Sequence, residues 1–151
     1  MDDLAAVDAL LARSYPKLLK ADYPPSVLVT ALQVIARAQP KLVSCGTYYV
    51  VEDEAGVLGV GGWTPDGKDP TLGHIRHVGT DDRAVRRGVG RMLLQHCFDV
   101  ARASGVTRME CWATRTAEPF YRAVGFDTVG PMDVTLEGGI VFPSLRMLRD
   151  L

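Results

Sequence analysis

The sequence predicts a mixed α/β (α+β) fold with a mostly antiparallel central sheet and flanking helices. Three observations predict it. Helical apolar spacing opens the chain, three extended β-branched or aromatic runs come next in quick succession, and strand and helix patterns then alternate to the end.

Leu4, Val7, Leu10 and Leu11 fall on one face of a helix over residues 4–11. Ser26 is placed to cap a second helix running to about residue 37, with Val27, Leu32 and Ile35 among its apolar positions and Pro40 just beyond. "TYYVVE" (residues 47–52) is β-branched and aromatic, hence a strand. "DEAG" turns the chain, and "VLGVGGWT" (57–64) returns as a second strand. "PDGKDP" is a loop, and residues 72–78 form a third strand. Residues 88–103 are the strongest helix, with Val89, Leu93, Cys97 and Val100 in an apolar stripe and Gly105 as its terminator. Strand 106–114 comes next, then a short helix over 116–123 closed by Gly125. Two final strands, 126–129 and 140–147, flank a loop containing Gly138 and Gly139. The strand–helix–strand unit spanning 72–114 is expected to be a right-handed parallel crossover.

The chain's 151 residues suit one domain. At 47% hydrophobic and 23% charged, it has the mix of a soluble globular protein. A net charge of −1 gives no global field toward nucleic acid or anionic membrane, so neither is an expected partner. Basic function must be local, and Arg83, Arg86, Arg87 and Arg91 are the densest cluster. No apolar run reaches the roughly 18 residues that span a bilayer. The acidic start "MDDLAAVDALLARSY" lacks the basic opening of a signal peptide, so a cytoplasmic location is expected. Cys45, Cys97 and Cys111 are odd in number and widely spaced. They point to no disulfide framework and no metal site.

The chemistry centres on "AVRRGVGRML". The first amides of a helix have no intrahelical partners and, with the macrodipole, favour an anion. Glycine lets backbone approach a phosphate without a Cβ in the way. Gly88 and Gly90 stand at such a helix mouth, so the amides of Arg86, Arg87, Gly88, Val89, Gly90 and Arg91 can cradle a pyrophosphate. Taken alone, the stretch is equally an ordinary turn with solvated arginines. It is not a Walker A loop, and Leu93 stands where a dinucleotide fingerprint needs its third glycine.

From Gly73 to Phe126 the chain resembles the GNAT superfamily of acyl-CoA-dependent N-acyltransferases. "VRRGVG" is similar to the family's Gln/Arg-x-x-Gly-x-Gly/Ala loop, "HIRHVGT" to the strand before it, and "AEPFYRAVGF" to the segment that carries a tyrosine. The resemblance implies a GNAT-like sheet with a splayed parallel strand pair. It implies acetyl-CoA as cosubstrate, its pyrophosphate on residues 86–91 and its pantetheine arm against Val78, Gly79 and Thr80. Three departures stand out. Val85 heads the loop where the family prefers Gln or Arg, and Thr114 stands where many members carry an Asn that bonds the pantetheine. The chain also starts almost inside its first helix, so the family's first strand is short or missing.

Acyl transfer from a thioester to an amine calls for a base and an acid. The resemblance gives Tyr121 the place beside the sulfur, where a phenol can protonate the leaving thiolate. The plainer reading is a core tyrosine packed by Phe120 and Phe126. His74 falls where several members carry a glutamate base, and imidazole suits neutral pH. Glu110 and a water-mediated route are rivals. Strand alternation sets His74 and Arg76 on one face and Ile75 and His77 on the other. Trp63, beside glycines that mark a bulge or close approach, is either a pocket wall or a packed core residue. Trp112 is expected in the core, and one of Tyr48 and Tyr49 is available to a pocket.

The expected function is therefore acetyl transfer from acetyl-CoA to a primary amine of a small acceptor, with protein N-acetylation as a further option. The alternative is a non-catalytic acyl-CoA-binding or regulatory module. Many family members dimerise, and a short first strand leaves room for a homodimer.

Overall fold

The computed structural model describes residues 4–84 and 87–151. Helices α1 (Leu4–Leu19), α2 (Pro25–Ile35) and α3 (Pro40–Val43) come first. Strands β1 (Tyr48–Asp53), β2 (Gly56–Pro65) and β3 (Leu72–Thr80) are next, then α4 (Val89–Ala103), β4 (Arg108–Ala113), α5 (Glu118–Ala123), β5 (Asp127–Thr135) and β6 (Val141–Asp150). The six strands form one sheet in the order β1-β2-β3-β4-β6-β5. Every neighbouring pair is antiparallel except β3 and β4, which are parallel.

Three elements depart from the pattern read in the sequence. Helix α1 runs on past residue 11 because Ser14 and Leu19 prolong its buried stripe, and Pro16 is tolerated within it. Helix α2 begins at Pro25 with Pro24 as N-cap and no side-chain cap bond, so Ser26 lies inside the helix and does not cap it. Proline at a first helical position lacks only an amide that would have no partner there. Strand β5 passes straight through Gly130 and Pro131. It sits at the sheet edge, where proline leaves no ladder bond unmade, and a register shift between Thr128 and Gly130 absorbs the irregularity.

Each face of the sheet carries its own core. Helices α4 and α5 bury Leu94, Cys97, Phe98 and Tyr121 against Trp63, Ile75, Met109, Cys111 and Met147. Each large aliphatic or aromatic side chain so buried contributes about 1.5–3 kcal/mol. On the opposite face Val7, Leu10 and Leu11 of α1 pack on Val60. Leu19, Tyr23, Leu28 and Ala31 pack on Phe142. Trp63, 3% exposed, is thus a core residue and not a pocket wall, whereas Trp112, expected in the core, is 48% exposed.

Two irregularities of β3 open and shape a cleft in the sheet. The strand pairs with β4 only at Leu72–Arg108, Gly73–Met109 and His74–Glu110. Beyond His74 the strands part, β3 staying with β2 and β4 with β6. The register against β2 then shifts between Val60 and Gly62, and His77, opposite the shift, has φ 47°. Histidine is among the few residues enriched at positive φ. This bulge breaks strand alternation. Ile75 and Val78 pack on the α4 side, while the His77 ring reaches α1 and α2 across the other face. Arg76 and His77 are therefore on the same face, contrary to simple alternation.

Candidate active site

A cavity of about 730 Å³ opens where β3 and β4 part. The first turn of α4, with α5, walls one side, and α1–α3 with the β5–β6 end wall the other.

The α4 wall is built by glycine. Gly88, with φ 78° and ψ 7°, is the N-cap and offers no side chain to the first turn. Met92 N–H is bonded to Gly88 C=O at 3.0 Å. Among the described residues the amides of Val89, Gly90 and Arg91, in the first turn, have no backbone acceptor, as expected at a helix N-terminus. The Arg87 amide is turned inward to Ala84 C=O at 3.3 Å. Val85 and Arg86 lie outside the described residues. A Cβ on Gly90 would come within 2.8 Å of Phe120 Cζ, so glycine is what lets α4 approach α5. Arg91 crosses to α5 through Nη2 and Ala123 C=O at 3.4 Å. Arg87 is exposed, 4.0 Å from Asp53.

The turn entering α4 is held by Asp81, 2% exposed, which receives Arg13 of α1. Its carboxylate also accepts the Arg83 backbone N–H at 2.9 Å and the Arg83 guanidinium at 3.0 and 3.1 Å. Those Arg83 bonds hold the Asp81 carboxyl well below the usual carboxylate range. Sequence reasoning missed this anchor; the acid–arginine pair Asp81 and Arg83 just before the loop was its one local signal.

Val78, Gly79 and Thr80 line the open edge of β3. The Val78 carbonyl accepts the Tyr15 hydroxyl at 2.8 Å, and the His77 carbonyl accepts that of Tyr48 at 2.9 Å. Across the gap, Thr114 Oγ1 accepts the Ala117 amide at 3.2 Å. Thr116 Oγ1 lies buried on the cavity wall with no hydrogen-bond partner among the described residues.

Tyr121 is both packed in the core and a lining residue of the cavity. It is 5% exposed and edge-on to Phe120 and Phe126 at 5.2 and 5.5 Å. Burial, reinforced by the neighbouring Cys111, pushes its phenol well above its ordinary range. Burial likewise pushes the Cys111 thiol up to about 12. Tyr121 is therefore protonated throughout the neutral and mildly alkaline range.

His74 is engaged at both ring nitrogens. Nε2 lies 2.7 Å from Asp66 Oδ1 and Nδ1 lies 3.2 Å from Glu110 Oε1. Ionised carboxylates only accept, so this arrangement needs a proton on each nitrogen or on one of the carboxyls. The bond to His74, with those to the Asp69 and Lys68 amides, holds the Asp66 carboxyl down at about 2. Glu110, 6% exposed, also accepts Trp112 Nε1 at 2.9 Å and Arg146 Nε at 2.7 Å. The result is one chain of polar contacts from the cavity floor to the loop bearing Asp66.

His77 has a different setting. Its Nε2 lies 2.7 Å from the Ile35 carbonyl, which can only accept, so Nε2 carries the hydrogen and Nδ1 is a bare acceptor. Nδ1 is buried without a partner among the described residues, and burial lowers the ring's pKa.

A strand that leaves its parallel neighbour and hands the chain to a helix N-terminus shapes this cleft, and solved structures share the fold. The "GCN5-Related N-acetyltransferase: Aminotransferase, Class-II" of Rhodopseudomonas palustris superposes with a TM-score of 0.78 at 19% identity, over 99% of this chain and 91% of that one. The PaiA N-acetyltransferase of Thermoplasma acidophilum, in complex with coenzyme A, has a TM-score of 0.73 at 10% identity, over 99% and 94%. The N-acetylglutamate synthase of Neisseria gonorrhoeae, complexed with coenzyme A and N-acetyl-glutamate, has a TM-score of 0.66 at 20% identity, covering 100% of this chain but 33% of that one. No curated protein matches the sequence. The family model described as "Acetyltransferase (GNAT) domain" matches residues 44–128, more than half of the chain. The chain belongs to that family of N-acetyltransferase enzymes.

Proposed function

We propose that the protein transfers an acetyl group from acetyl-CoA to a primary amine of a small acceptor. The observation that carries this reading is the parting of β3 from β4 beyond His74, directly beside the first turn of α4. The residues present fit coenzyme A. Val89, Gly90 and Arg91 would hold the pyrophosphate through their amides, with Gly88 at the same turn and Arg86 and Arg87 preceding it in the sequence. Val78, Gly79, Thr80 and Thr114 would flank the pantetheine arm. The orphaned Thr116 hydroxyl is a polar atom that a bound ligand would satisfy.

Acetyl-CoA supplies the activated acetyl thioester. Tyr121 Oη, kept protonated by burial, gives its proton to the departing sulfur. A doubly engaged His74 has no lone pair free for an incoming amine, so it acts here as a positioning residue. Glu110 takes the ammonium proton, and His74, bridged between Glu110 and Asp66, holds the Glu110 carboxylate in place.

Incubation with acetyl-CoA and a panel of amines, following free thiol, tests this. Thiol release that depends on the amine is expected. Tight coenzyme A binding with no turnover on any amine would overturn it.

A further inference from the structure

The cavity wall opposite α4 carries a cation that the mechanism leaves unused. Arg76 lines the cavity on the face set by the His77 bulge. Its Nε donates to Thr64 Oγ1 at 2.8 Å. That bond fixes the plane of the guanidinium and leaves both terminal nitrogens as a fork. Among the described residues no carboxylate lies within ion-pair distance of it. The acids nearby are committed elsewhere: Glu110 to Arg146, Trp112 and His74, and Asp66 to His74. Apolar side chains line much of the same cavity, Leu18, Leu19 and Ile35 on the helical side and Leu136 and Phe142 on the other.

We propose that Arg76 receives a carboxylate of the acceptor, which makes the acceptor an amine with a carboxylate and an apolar body, the chemistry of an apolar α-amino acid. The inference rests on the acetyltransfer reading and deepens it. A planar fork matches a carboxylate in two parallel bonds. The apolar side chains that line the cavity raise the cost of leaving the guanidinium unpaired, so the acceptor's anion is favoured there. Coenzyme A phosphates are the competing anions, and they would meet α4 on the other side of the sheet.

The test uses the full chain with acetyl-CoA and two matched pairs, L-phenylalanine with phenethylamine and L-leucine with 3-methylbutylamine. Coenzyme A affinity is measured in parallel by calorimetry. The wild type is expected to prefer the carboxylated member of each pair by about 10-fold or more in kcat/KM. Arg76→Gln is expected to lower that preference about 10- to 100-fold, through KM, and Arg76→Lys to restore part of it. A melting curve for each variant separates lost recognition from lost folding. Thr64→Val, which frees the guanidinium without removing it, is expected to weaken the preference less. Equal use of both members by the wild type, an equal fall on both in Arg76→Gln, or a matching rise in the coenzyme A dissociation constant would each overturn the inference while leaving acetyl transfer standing. No turnover of any amine, with coenzyme A bound, would overturn the acetyltransfer reading and this inference with it.

Discussion

At the scale of single residues, Tyr121 and Gly90 carry the sharpest expectations. Tyr121→Phe keeps the ring packing against Phe120 and Phe126 and removes only the hydroxyl. Loss of a general acid lowers kcat by about 10²–10⁴-fold, while the dissociation constant for coenzyme A shifts far less. Stopped-flow turnover and calorimetry on the same preparation separate the two. Gly90→Ala puts a methyl group 2.8 Å from Phe120 Cζ. Overpacking of that kind costs about 1–3 kcal/mol, readable as a lower urea midpoint, with weaker coenzyme A binding alongside. An unchanged midpoint would mean that α5 gives way freely. The glycine cradle was legible in the sequence because a helix mouth is local: its amides lack partners whatever the tertiary fold. The free guanidinium of Arg76 was not legible. Its availability depends on where Glu110 and Asp66 spend their charge, and that is decided by His74 of the same strand and Arg146 of β6.

At the scale of elements, β3 is where sequence reading and structure part. Alternation foresaw His74 and Arg76 together, and it failed at His77. The register shift that turns His77 is written in β2, at Val60 and Gly62, and a single strand read alone cannot reveal it. The same reasoning explains Trp112, expected in the core and found half exposed. Period-two spacing separates faces, but which face a helix covers is a long-range fact. Strand β5 was cut short at Gly130 and Pro131 because those residues break central strands, and only its edge position excuses them. The His77 bulge also carries a pH expectation. Burial lowers the His77 pKa below that of the unfolded chain, so folding favours the neutral ring. Stability is then full above about pH 6.5 and falls as pH drops below it, because the unfolded state takes up the proton first. Melting temperatures of the wild type between pH 8 and 5 should show that fall. His77→Asn, which tolerates positive φ, should flatten it. Identical profiles would remove His77 from the account. Losses from the Asp66 and Asp81 carboxyls begin only as pH falls into the ordinary carboxylate range and continue below it, so they are separable from that of His77.

At the scale of the whole molecule, the sheet divides two tasks between its faces. The α4 face holds the larger aromatic core and the bare amides, and the α1–α2 face holds Arg76, His77 and the Glu110 network. A ligand seated between β3 and β4 would tie the halves together. Coenzyme A at a hundred times its dissociation constant would add about 2.7 kcal/mol to the folded state. For a chain of this size that is a rise in Tm of roughly 5–10 °C, measurable by differential scanning fluorimetry. No shift with coenzyme A would sink the cofactor reading.

The contrasting tryptophans have a practical consequence. Of the chain's two indoles, Trp63 is sealed in the core, while Trp112 lies half exposed on the cavity floor with its Nε1 on Glu110. Its emission is therefore a built-in optical reporter of acceptor entry. A ligand arriving there changes the solvent around one fluorophore and leaves the other as an internal reference. Titration of unlabelled protein then reads acceptor binding directly, before any chemistry takes place.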